Sequence, residues 1–439
     1  MWDFIEPLFQ NAWGYITYLW AVLWPFILFL FLYPLFKSTW MFYRQSKFKK
    51  EEQKWILVEM KIPRETKRSP QAMEQVLMGI YNLANFPGTL QEWYWVGEVS
   101  RWYSLEIVSF GGETHFYMRL YYKQRRLVEA AFFSHYPDLE FEEVPDYVDR
   151  LPANIKEMYD QGYELWGSEM LLAKDAMYPI RSYKDFEVNE EERQLDPMSL
   201  FLEVLSKLKS EEFVGIQFLI QPADRDWEHH YEHQLEKLKE PKVKKEEGHG
   251  SVDDPLKSFG RFISRSPGET DVLEAVERNL SKPAFKTIIR FIYLSPKTIF
   301  YDSFARRGIT GAFNQYAASD LNSFRQNYTV GTRTEIWRFP YIFPKLRNQY
   351  RRQRLLYSYK NRYLPAKTWM GRFITSYLLN WNFSSKQVTL NVESLATLYH
   401  PPTFAVMTAP HVKRVESRKA GPPAGLPIYG EEGSIERFQ

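Results

Sequence analysis

The stretch WYSLEIVSFGGETHFYMRLYY (Trp102–Tyr122) decides how the first part of the chain folds. Two runs rich in aromatic and β-branched residues, Trp102–Phe110 and Thr114–Tyr122, flank the pair Gly111-Gly112. Glycine readily adopts the positive φ angles that tight hairpin turns require. The pattern therefore predicts two antiparallel strands joined by a short turn.

Further segments with clear periodicity lie on both sides of this hairpin. Before it, WILVEMKI (Trp55–Ile62) predicts a strand, and Ser69 followed by proline predicts the start of a helix. After it, Arg126–Tyr136 predicts a helix and Leu139–Val144 predicts a closing strand. The resulting order, β-α-β-β-α-β, is that of a ferredoxin-like unit, which we predict for residues 51–150.

The next part of the chain, residues 151–333, partly repeats this order. Strands are predicted at Tyr163–Ala173, Phe213–Ile220 and Phe285–Leu294. We also predict a helix near Trp227–Leu238, a helix that starts at the capping box Ser266–Glu269, and a mostly helical segment at Lys297–Phe324. Residues 239–265 have runs of charge and little periodicity, so we interpret them as a charged insertion. The predicted fold class is therefore α+β, with antiparallel-sheet domains of which the second is a diverged copy of the first.

The N-terminus carries a different signal. No charged residue lies between Glu6 and Lys37, and the apolar run Tyr15–Phe36 has 22 residues. That length suffices for a hydrocarbon core of about 30 Å at about 1.5 Å per helical residue. The start is acidic, and no A-x-A cleavage motif follows the run, so a secretory signal is disfavoured. Residues 1–50 are predicted to be a single uncleaved transmembrane helix with a basic juxtamembrane collar.

The flanks of the apolar run predict its orientation. Lys and Arg crowd its C-terminal side and none precedes it, so the positive-inside bias places the N-terminus outside and the body in the cytoplasm. The predicted location is thus the cytoplasmic (inner) membrane, with one pass. Aromatic and basic residues near the two ends of the run are the candidates for the membrane–water interface. They are Trp13, Tyr15, Tyr33, Lys37, Trp40 and Arg44.

Composition excludes several classes of function. The 439 residues include 57 Lys+Arg, 54 Asp+Glu and no cysteine, which excludes disulfides, thiolate metal sites and a cysteine nucleophile. No glycine precedes a lysine, so the chain has no Walker A loop, and neither G-x-G-x-x-G nor G-x-S-x-G occurs. We therefore expect neither an enzyme nor a bound cofactor.

One string resembles a metal motif. His229-His230-Tyr231-Glu232-His233 fits H-x-x-E-H, in which a helix would place two histidines one turn apart and the glutamate as a base. Its densely charged neighbours favour a solvated helix face instead. A zinc-dependent hydrolase is the least favoured alternative.

Residues 334–418 form a basic, aromatic-rich region. Between Ile336 and Val392 there are eleven Lys or Arg and no acid, with tyrosines interleaved. Such a segment could bind nucleic-acid phosphates, anionic lipids or a partner protein, or could be a solvated face balanced by acids elsewhere. The densest bases are the candidates for a nucleic-acid or anionic surface. They are Arg347, Arg351, Arg352, Arg354, Lys360 and Arg362.

Several strings resemble the N-terminal, non-motor half of membrane-anchored ATPases of conjugative transfer, the coupling-protein type of type IV secretion. Besides the anchor, the resemblance covers VEMKIPRETKRSPQAMEQVLMGIY (Val58–Tyr81), LEIVSFGGETHFYMRL (Leu105–Leu120), FFSHYPDLEFEEVPDY (Phe132–Tyr147), DPMSLFLEVLSKLKSEEFVGIQFLIQP (Asp196–Pro222) and NVESLATLYHPPT (Asn391–Thr403). In such proteins a Pro-rich connector and a P-loop motor follow. Residues 419–439 fit the connector or a free tail, and no motor is present in this chain.

The resemblance implies a non-catalytic component of a DNA-transfer or type IV secretion-like machine. Its expected partners are the membrane, a separate P-loop ATPase or other secretion-machine subunits, DNA, and further copies of the chain. Whether the motor is encoded separately or belongs to a longer form of the chain stays open. The alternative is a membrane-tethered protein scaffold unrelated to DNA.

Overall fold

The computed structural model describes residues 2–51, 54–63, 68–186, 196–224, 226–239, 266–332, 343–366, 368–375, 384–403 and 414–415. Of residues 2–13, 302–303, 305–306 and 414–415 it describes the backbone alone. The side chain of Trp13, the charged insertion beyond Lys239, the start of the basic region and the tail 419–439 therefore lie outside the described part.

Helices and strands alternate along most of the chain. The α-helices are α1 (Trp2–Glu51), α2 (Pro70–Asn82), α3 (Arg125–Phe133), α4 (Ile155–Asp160), α5 (Ser199–Ser206), α6 (Glu232–Lys239), α7 (Pro267–Leu280), α8 (Asp302–Asn314), α9 (Pro344–Lys360), α10 (Trp369–Ile374) and α11 (Val392–Leu398). The strands are β1 (Trp55–Pro63), β2 (Tyr103–Phe110), β3 (Glu113–Tyr121), β4 (Glu140–Val144), β5 (Tyr163–Leu172), β6 (Phe213–Pro222), β7 (Ala284–Pro296), β8 (Phe324–Gln326), β9 (Val388–Asn391) and β10 (Arg414–Val415).

The predicted hairpin is confirmed. Phe110 pairs with Glu113 across a turn in which Gly111 and Gly112 have φ angles of 57° and 93°. A side chain at Gly111 would also meet the backbone of Ser210 at 2.8 Å. Glycine is thus required here both by the left-handed backbone and by the close approach.

One large, mainly antiparallel sheet contains all the described strands. Its first half has the order β4-β1-β3-β2 and its second half the order β6-β7-β5-β8. The halves join where β2 pairs with β6, with Ile107 opposite Ile216. Strand β9 pairs with β7, and β10 pairs with β1 in parallel. The predicted mixed α+β class with an extensive antiparallel sheet is therefore correct.

Both faces of the sheet are covered. Neighbouring residues of β2 point to opposite faces, so Ile107 joins the larger core and Val108 the smaller one. The larger core includes residues of α2, α5, α8 and α11, whereas the smaller core includes Leu355, Leu356 and Tyr359 of α9. One face of the basic helix α9 is thus packed in the interior.

Three elements differ from the prediction. Residues 297–324, predicted to be mostly helical, contain helix α8 and then strand β8. The predicted helix near residue 227 begins as a 3₁₀ turn, Trp227–Tyr231, before α6. Strand β9 lies in the basic region and was not predicted. Strands of three or four residues are fixed by partners distant in sequence, which local periodicity does not reveal.

The N-terminal helix is long and apolar enough to cross a membrane. Its segment Gly14–Glu51 has a window of mean hydropathy 2.1, none of which is buried against the rest of the chain. Length and composition of this kind fit both a membrane anchor and a signal sequence. The last turns of α1 differ from the apolar part because they pack on the segment Glu92–Val96 and on α10.

Candidate functional site

The six candidate bases lie on α9 and in the two residues after it. Proline at the first helical position suits the start of α9 at Pro344. Arg347, Arg351 and Leu355 recur every four residues, so they share one face, and all three are buried. This face of α9 turns two of the candidate bases toward the sheet.

Arg362 is the most enclosed of the six. Its side chain is 1 % exposed, and its Nε and Nη2 donate to Oε1 and Oε2 of Glu106 at 2.7 and 3.1 Å. Its Nη2 also donates to Oδ1 of Asp146 at 2.9 Å. Glu106 lies in the centre of β2 and is fully buried. The guanidinium therefore faces two carboxylates inside the protein.

The surroundings of Arg362 favour its charged form. Burial alone would lower the pKa of Arg362, but the charges of Glu106 and its neighbours raise that pKa well above its usual value. Burial raises the pKa of the Tyr147 and Tyr359 hydroxyls, which hydrogen-bond each other at 2.8 Å. Tyr147 also donates to Glu106. An ion pair with this many satisfied groups suits positioning rather than proton transfer.

Two further bases contact the segment between Leu151 and Glu164, which contains α4 and the start of β5. Arg352 donates from Nη1 to the hydroxyl of Tyr159 at 2.7 Å and forms an ion pair with Glu164. Lys360 donates from Nζ to the carbonyl oxygen of Leu151 at 2.8 Å. These contacts fasten α9 to residues about 190 to 210 positions earlier in the chain.

The remaining bases have different surroundings. Arg351 donates from Nη1 to the carbonyl oxygen of Tyr328 at 3.3 Å, and Arg347 is buried on the same face. Arg354 is half-buried, with its guanidinium 5.2 Å from the ring centre of Tyr363. Five of the six bases thus lie on one helix and the sixth lies two residues beyond it, but they do not converge on one open surface.

A second buried ion pair supports the end of α9. Arg290 of β7 donates from Nε and Nη2 to Oε1 of Glu169 in β5, at 3.1 and 2.8 Å, and both side chains are fully buried. Its Nη1 donates to the carbonyl oxygen of Ser358 at 2.7 Å. Sequence reasoning missed both Glu106 and Glu169. The available signal was an acid near the middle or end of a strand with many large apolar residues, because a buried carboxylate there needs a partner.

The candidate interface residues divide into two groups. Tyr15 and Tyr33 are exposed along the apolar part of α1. Trp40 instead donates from Nε1 to the carbonyl oxygen of Tyr94 at 2.7 Å, and Arg44 lies 5.9 Å from the ring centre of Trp40. Lys37 lies near these residues, with its Nζ 5.4 Å from the ring centre of Tyr94. The second group therefore marks the place where α1 meets the body.

The histidine string does not form a metal centre in the described part of the chain. His229 forms an exposed hydrogen bond with Glu232, which raises the pKa of His229. Among the described residues, no group of three or more His, Asp or Glu side chains is placed to hold a metal ion. In this part of the chain the histidine string therefore lacks the third side-chain ligand that a zinc site requires.

The fold and site define an α+β protein with an N-terminal helix that is long and apolar enough to cross a membrane, and with a charged helix packed on its sheet. A family model described as a domain of unknown function, DUF8128, matches residues 42–409. Since this is most of the chain, the protein belongs to that family. Comparison with curated proteins finds no match.

Proposed function

We propose that this protein is a non-catalytic, membrane-anchored scaffold with its N-terminus outside and its sheet body in the cytoplasm. The observation that carries the proposal is helix α1, whose apolar part is exposed and whose last turns pack on the body. A signal sequence is removed by cleavage. It would therefore not be expected to continue, as one helix, into turns that pack on the body of the mature protein. The bases after the apolar run favour a cytoplasmic body.

Cysteine labelling tests the topology cleanly because the chain has no cysteine. Tyr301→Cys, at an exposed position of the body, should resist a membrane-impermeant maleimide in intact cells and react after lysis. When the membranes are extracted with alkaline carbonate, the protein should stay in the membrane pellet. Labelling in intact cells would contradict the orientation, and release by carbonate would contradict the anchor.

The finer fold is proposed to be two ferredoxin-like units placed edge to edge. The strand orders β4-β1-β3-β2 and β6-β7-β5-β8 support this, since each set is related to the other by reversal about the β2–β6 junction. In each set the chain order is strand, helix, strand, strand, helix, strand, with further helices inserted in the second. The bulk of the scaffold would then be one extended two-unit platform.

A more specific proposal is that this scaffold serves a conjugative DNA-transfer or type IV secretion-like machine and docks a separate P-loop ATPase. It rests on the resembling strings, which lie mainly in β1–α2, the β2–β3 hairpin, α5–β6 and α11. These elements form the platform and the helices over its larger core. A platform without a nucleotide-binding loop would present or position substrate for a motor supplied by another chain.

Affinity capture tests this machine proposal. The tagged full chain is crosslinked in its native membrane and then purified. It should retain a P-loop ATPase in a fixed ratio, and this ratio should not change when the sample is washed with high salt. As a control, the same procedure applied to an unrelated single-pass membrane protein should not retain it. Recovery of other partners without any P-loop ATPase would be consistent with the scaffold proposal but would contradict a role in a DNA-transfer or secretion-like machine.

A direct contact with DNA is a separate part of the machine proposal, and the packing of the bases argues against it. Arg362, Arg352 and Lys360 have internal partners, and this favours the second candidate function, a scaffold unrelated to DNA. Half-buried Arg354 and exposed Lys345 are the better bases to test. If DNA binds there, Arg354→Gln with Lys345→Gln should weaken it and reduce the slope of log K against log salt by about one per lost contact.

A control uses an exposed lysine away from α9. Lys207→Gln removes a lysine charge just after α5, so it should leave the salt slope unchanged. Equal weakening by both changes would indicate general electrostatics. An unchanged slope in the double variant would reject α9 as the DNA contact.

A further inference from the structure

Two segments far apart in sequence meet α1 just after its apolar run. The first is the short π-helical segment Glu92–Val96, and the second is α10. Trp40 of α1 donates to the carbonyl oxygen of Tyr94, and the backbone N–H of Met370 donates to Oγ of Ser38 at 2.9 Å. Both segments are therefore attached to the same short stretch of the helix.

Two glycines allow this close contact. A Cβ atom at Gly97 would lie 2.6 Å from the backbone carbon of Arg44, and Gly97 has a φ of 73°. A Cβ atom at Gly371 would lie 2.5 Å from Cδ2 of Phe42. Both contacts are shorter than any side chain tolerates, so the two segments are closely fitted to α1.

Both segments, together with Leu90 just before the first, expose large apolar side chains. We call six exposed residues the aromatic collar: Leu90, Trp93, Trp95, Trp369, Phe373 and Ile374. Leu90 is 77 % exposed, Trp95 is 65 % exposed and Ile374 is 54 % exposed. Single exposed apolar residues are common on protein surfaces, but a group of large ones in one place marks a contact surface.

The position of the collar along α1 identifies what it contacts. Trp40 follows the last residue of the apolar run, Phe36, by four residues, or about 6 Å at about 1.5 Å per residue. The headgroup layer on each side of a bilayer is about 5–7 Å thick, the difference between the core and the whole bilayer. The segments attached to Ser38 and Trp40, two and four residues past the run, therefore lie at the level of the headgroups.

The chemistry of the collar also suits that layer. Tryptophan rings favour the membrane–water interface because they combine an apolar body with one N–H donor. Trp95 packs edge-on against Trp40 with ring centres 6.0 Å apart, which extends the interfacial aromatic surface outward from α1. The exposed Arg372 lies between Trp369 and Phe373 on α10, where it can meet lipid phosphates.

We propose that the aromatic collar is a membrane-interface surface, inserted in the headgroup layer of the same bilayer that α1 crosses. This rests on the proposed anchor and adds to it a second attachment, made by side chains outside α1. A single membrane-spanning helix leaves the body free to tilt relative to the membrane. Side chains inserted into the membrane on two sides of that helix would fix this tilt. The sheet end that carries Trp55 and Tyr121 is then held near the membrane, and the Gly111-Gly112 turn points away.

Site-directed spin labelling tests the proposal on the full chain, which has no cysteine of its own. Leu90→Cys and Ile374→Cys carry the nitroxide in the collar. Leu28→Cys places the label in the apolar run of α1 and serves as the lipid reference. Tyr301→Cys, beyond the far end of β7, places it in water and serves as the aqueous reference. The protein is placed in vesicles of phosphatidylcholine and phosphatidylglycerol. Power saturation then compares collisions with oxygen, which concentrates in lipid, and with a water-soluble nickel chelate.

We expect the oxygen-to-nickel ratio at Leu90 and Ile374 to be severalfold above that at Tyr301 and below that at Leu28. A ratio equal to that at Tyr301 would overturn the collar while leaving the anchor intact. Low collision rates with both probes would mean that protein, either a partner or a second copy, covers the collar, which also overturns it. A water-like ratio at Leu28 would overturn the anchor and the collar together.

Discussion

Arg362 binds Glu106 through two hydrogen bonds, Nε–Oε1 at 2.7 Å and Nη2–Oε2 at 3.1 Å, although 256 residues separate them in sequence. Glu106 lies in the middle of the sheet, and Arg362 follows the basic helix α9. This pair therefore fixes the end of α9 over the junction of the two halves of the sheet. It converts the most basic part of the chain into a packed structural element.

Removing one partner of this pair should destabilise the protein strongly. Arg362→Met leaves Glu106 buried without its cation, and breaking a buried pair in this way costs about 3–5 kcal/mol. The free energy of unfolding, measured by urea titration of the full chain in detergent, should fall by that amount. The matched change Arg372→Met, at an exposed position of α10, should cost under about 1 kcal/mol. Similar losses for both would contradict a structural role for the pair.

Gly215→Ala should disrupt the packing of α9. The new Cβ atom would lie 1.7 Å from the hydroxyl oxygen of Tyr359, so that ring must move. Overpacking of this kind typically costs about 1–3 kcal/mol in the free energy of unfolding. Gly311→Ala, within α8 and with open space around it, should instead be neutral or slightly stabilising because alanine favours helices. A neutral Gly215→Ala would mean that α9 does not pack there.

Gly97→Ala should loosen the contact between α1 and the body. Gly97 has a left-handed backbone, which costs other residues about 1–2 kcal/mol, and its Cβ would clash with Arg44. Hydrogen exchange followed by mass spectrometry should show faster exchange of residues 92–97. Gly88→Ala, in the same loop but with nothing within 4 Å, should leave the exchange rates unchanged. Unchanged exchange in Gly97→Ala would reject this contact.

Acid should weaken the protein through Asp196. Its buried carboxylate accepts from the backbone N–H of Met198 at 2.7 Å and lies 3.1 Å from Nε2 of His400. Burial alone would raise the pKa of Asp196, but His400 and the backbone donors lower it below its usual value. A lowered pKa contributes stability that is present above the unfolded value of about 3.9 and is lost as pH falls further.

The measurement compares Asp196→Asn with the unchanged chain. At pH 7 we expect the variant to lose about 1–3 kcal/mol of unfolding free energy, as for a hydrogen bond to a charged group. This difference should shrink as pH falls below about 4. For the control Asp160→Asn, at an exposed site, the difference should stay near zero across the same pH range. A difference for Asp196→Asn that does not change with pH would show that the carboxylate charge is irrelevant.

Local signals in the sequence were reliable. The Gly111-Gly112 turn, the cap of α2 by Ser69 and the capping box of Ser266 and Glu269 at α7 are all observed. Each depends on residues within four positions of one another, so the chemistry that fixes the structure is visible in a short window. The apolar run within α1 is likewise visible because it depends on composition alone.

The role of the basic region could not be read in the same way. A run of bases without acids predicts an exposed anionic-ligand surface, because charged side chains are rarely buried unless paired. Their partners Glu106, Glu164 and Asp146 lie in the first 170 residues, and no local pattern connects them with α9. The sequence therefore grouped these bases in one segment of the chain, but it did not reveal their buried partners.

By itself, the sequence determined the anchor-like helix, the α+β class and the positions of most helices and strands, because hydropathy, turns and caps act over a few residues. Only the tertiary structure decided which charges become buried pairs, where the two halves of the sheet join, and that Trp95 and Trp369 lie beside the same turns of α1. These relationships depend on closing loops of tens to hundreds of residues. The energy that selects them comes from packing between segments that are neighbours only after folding.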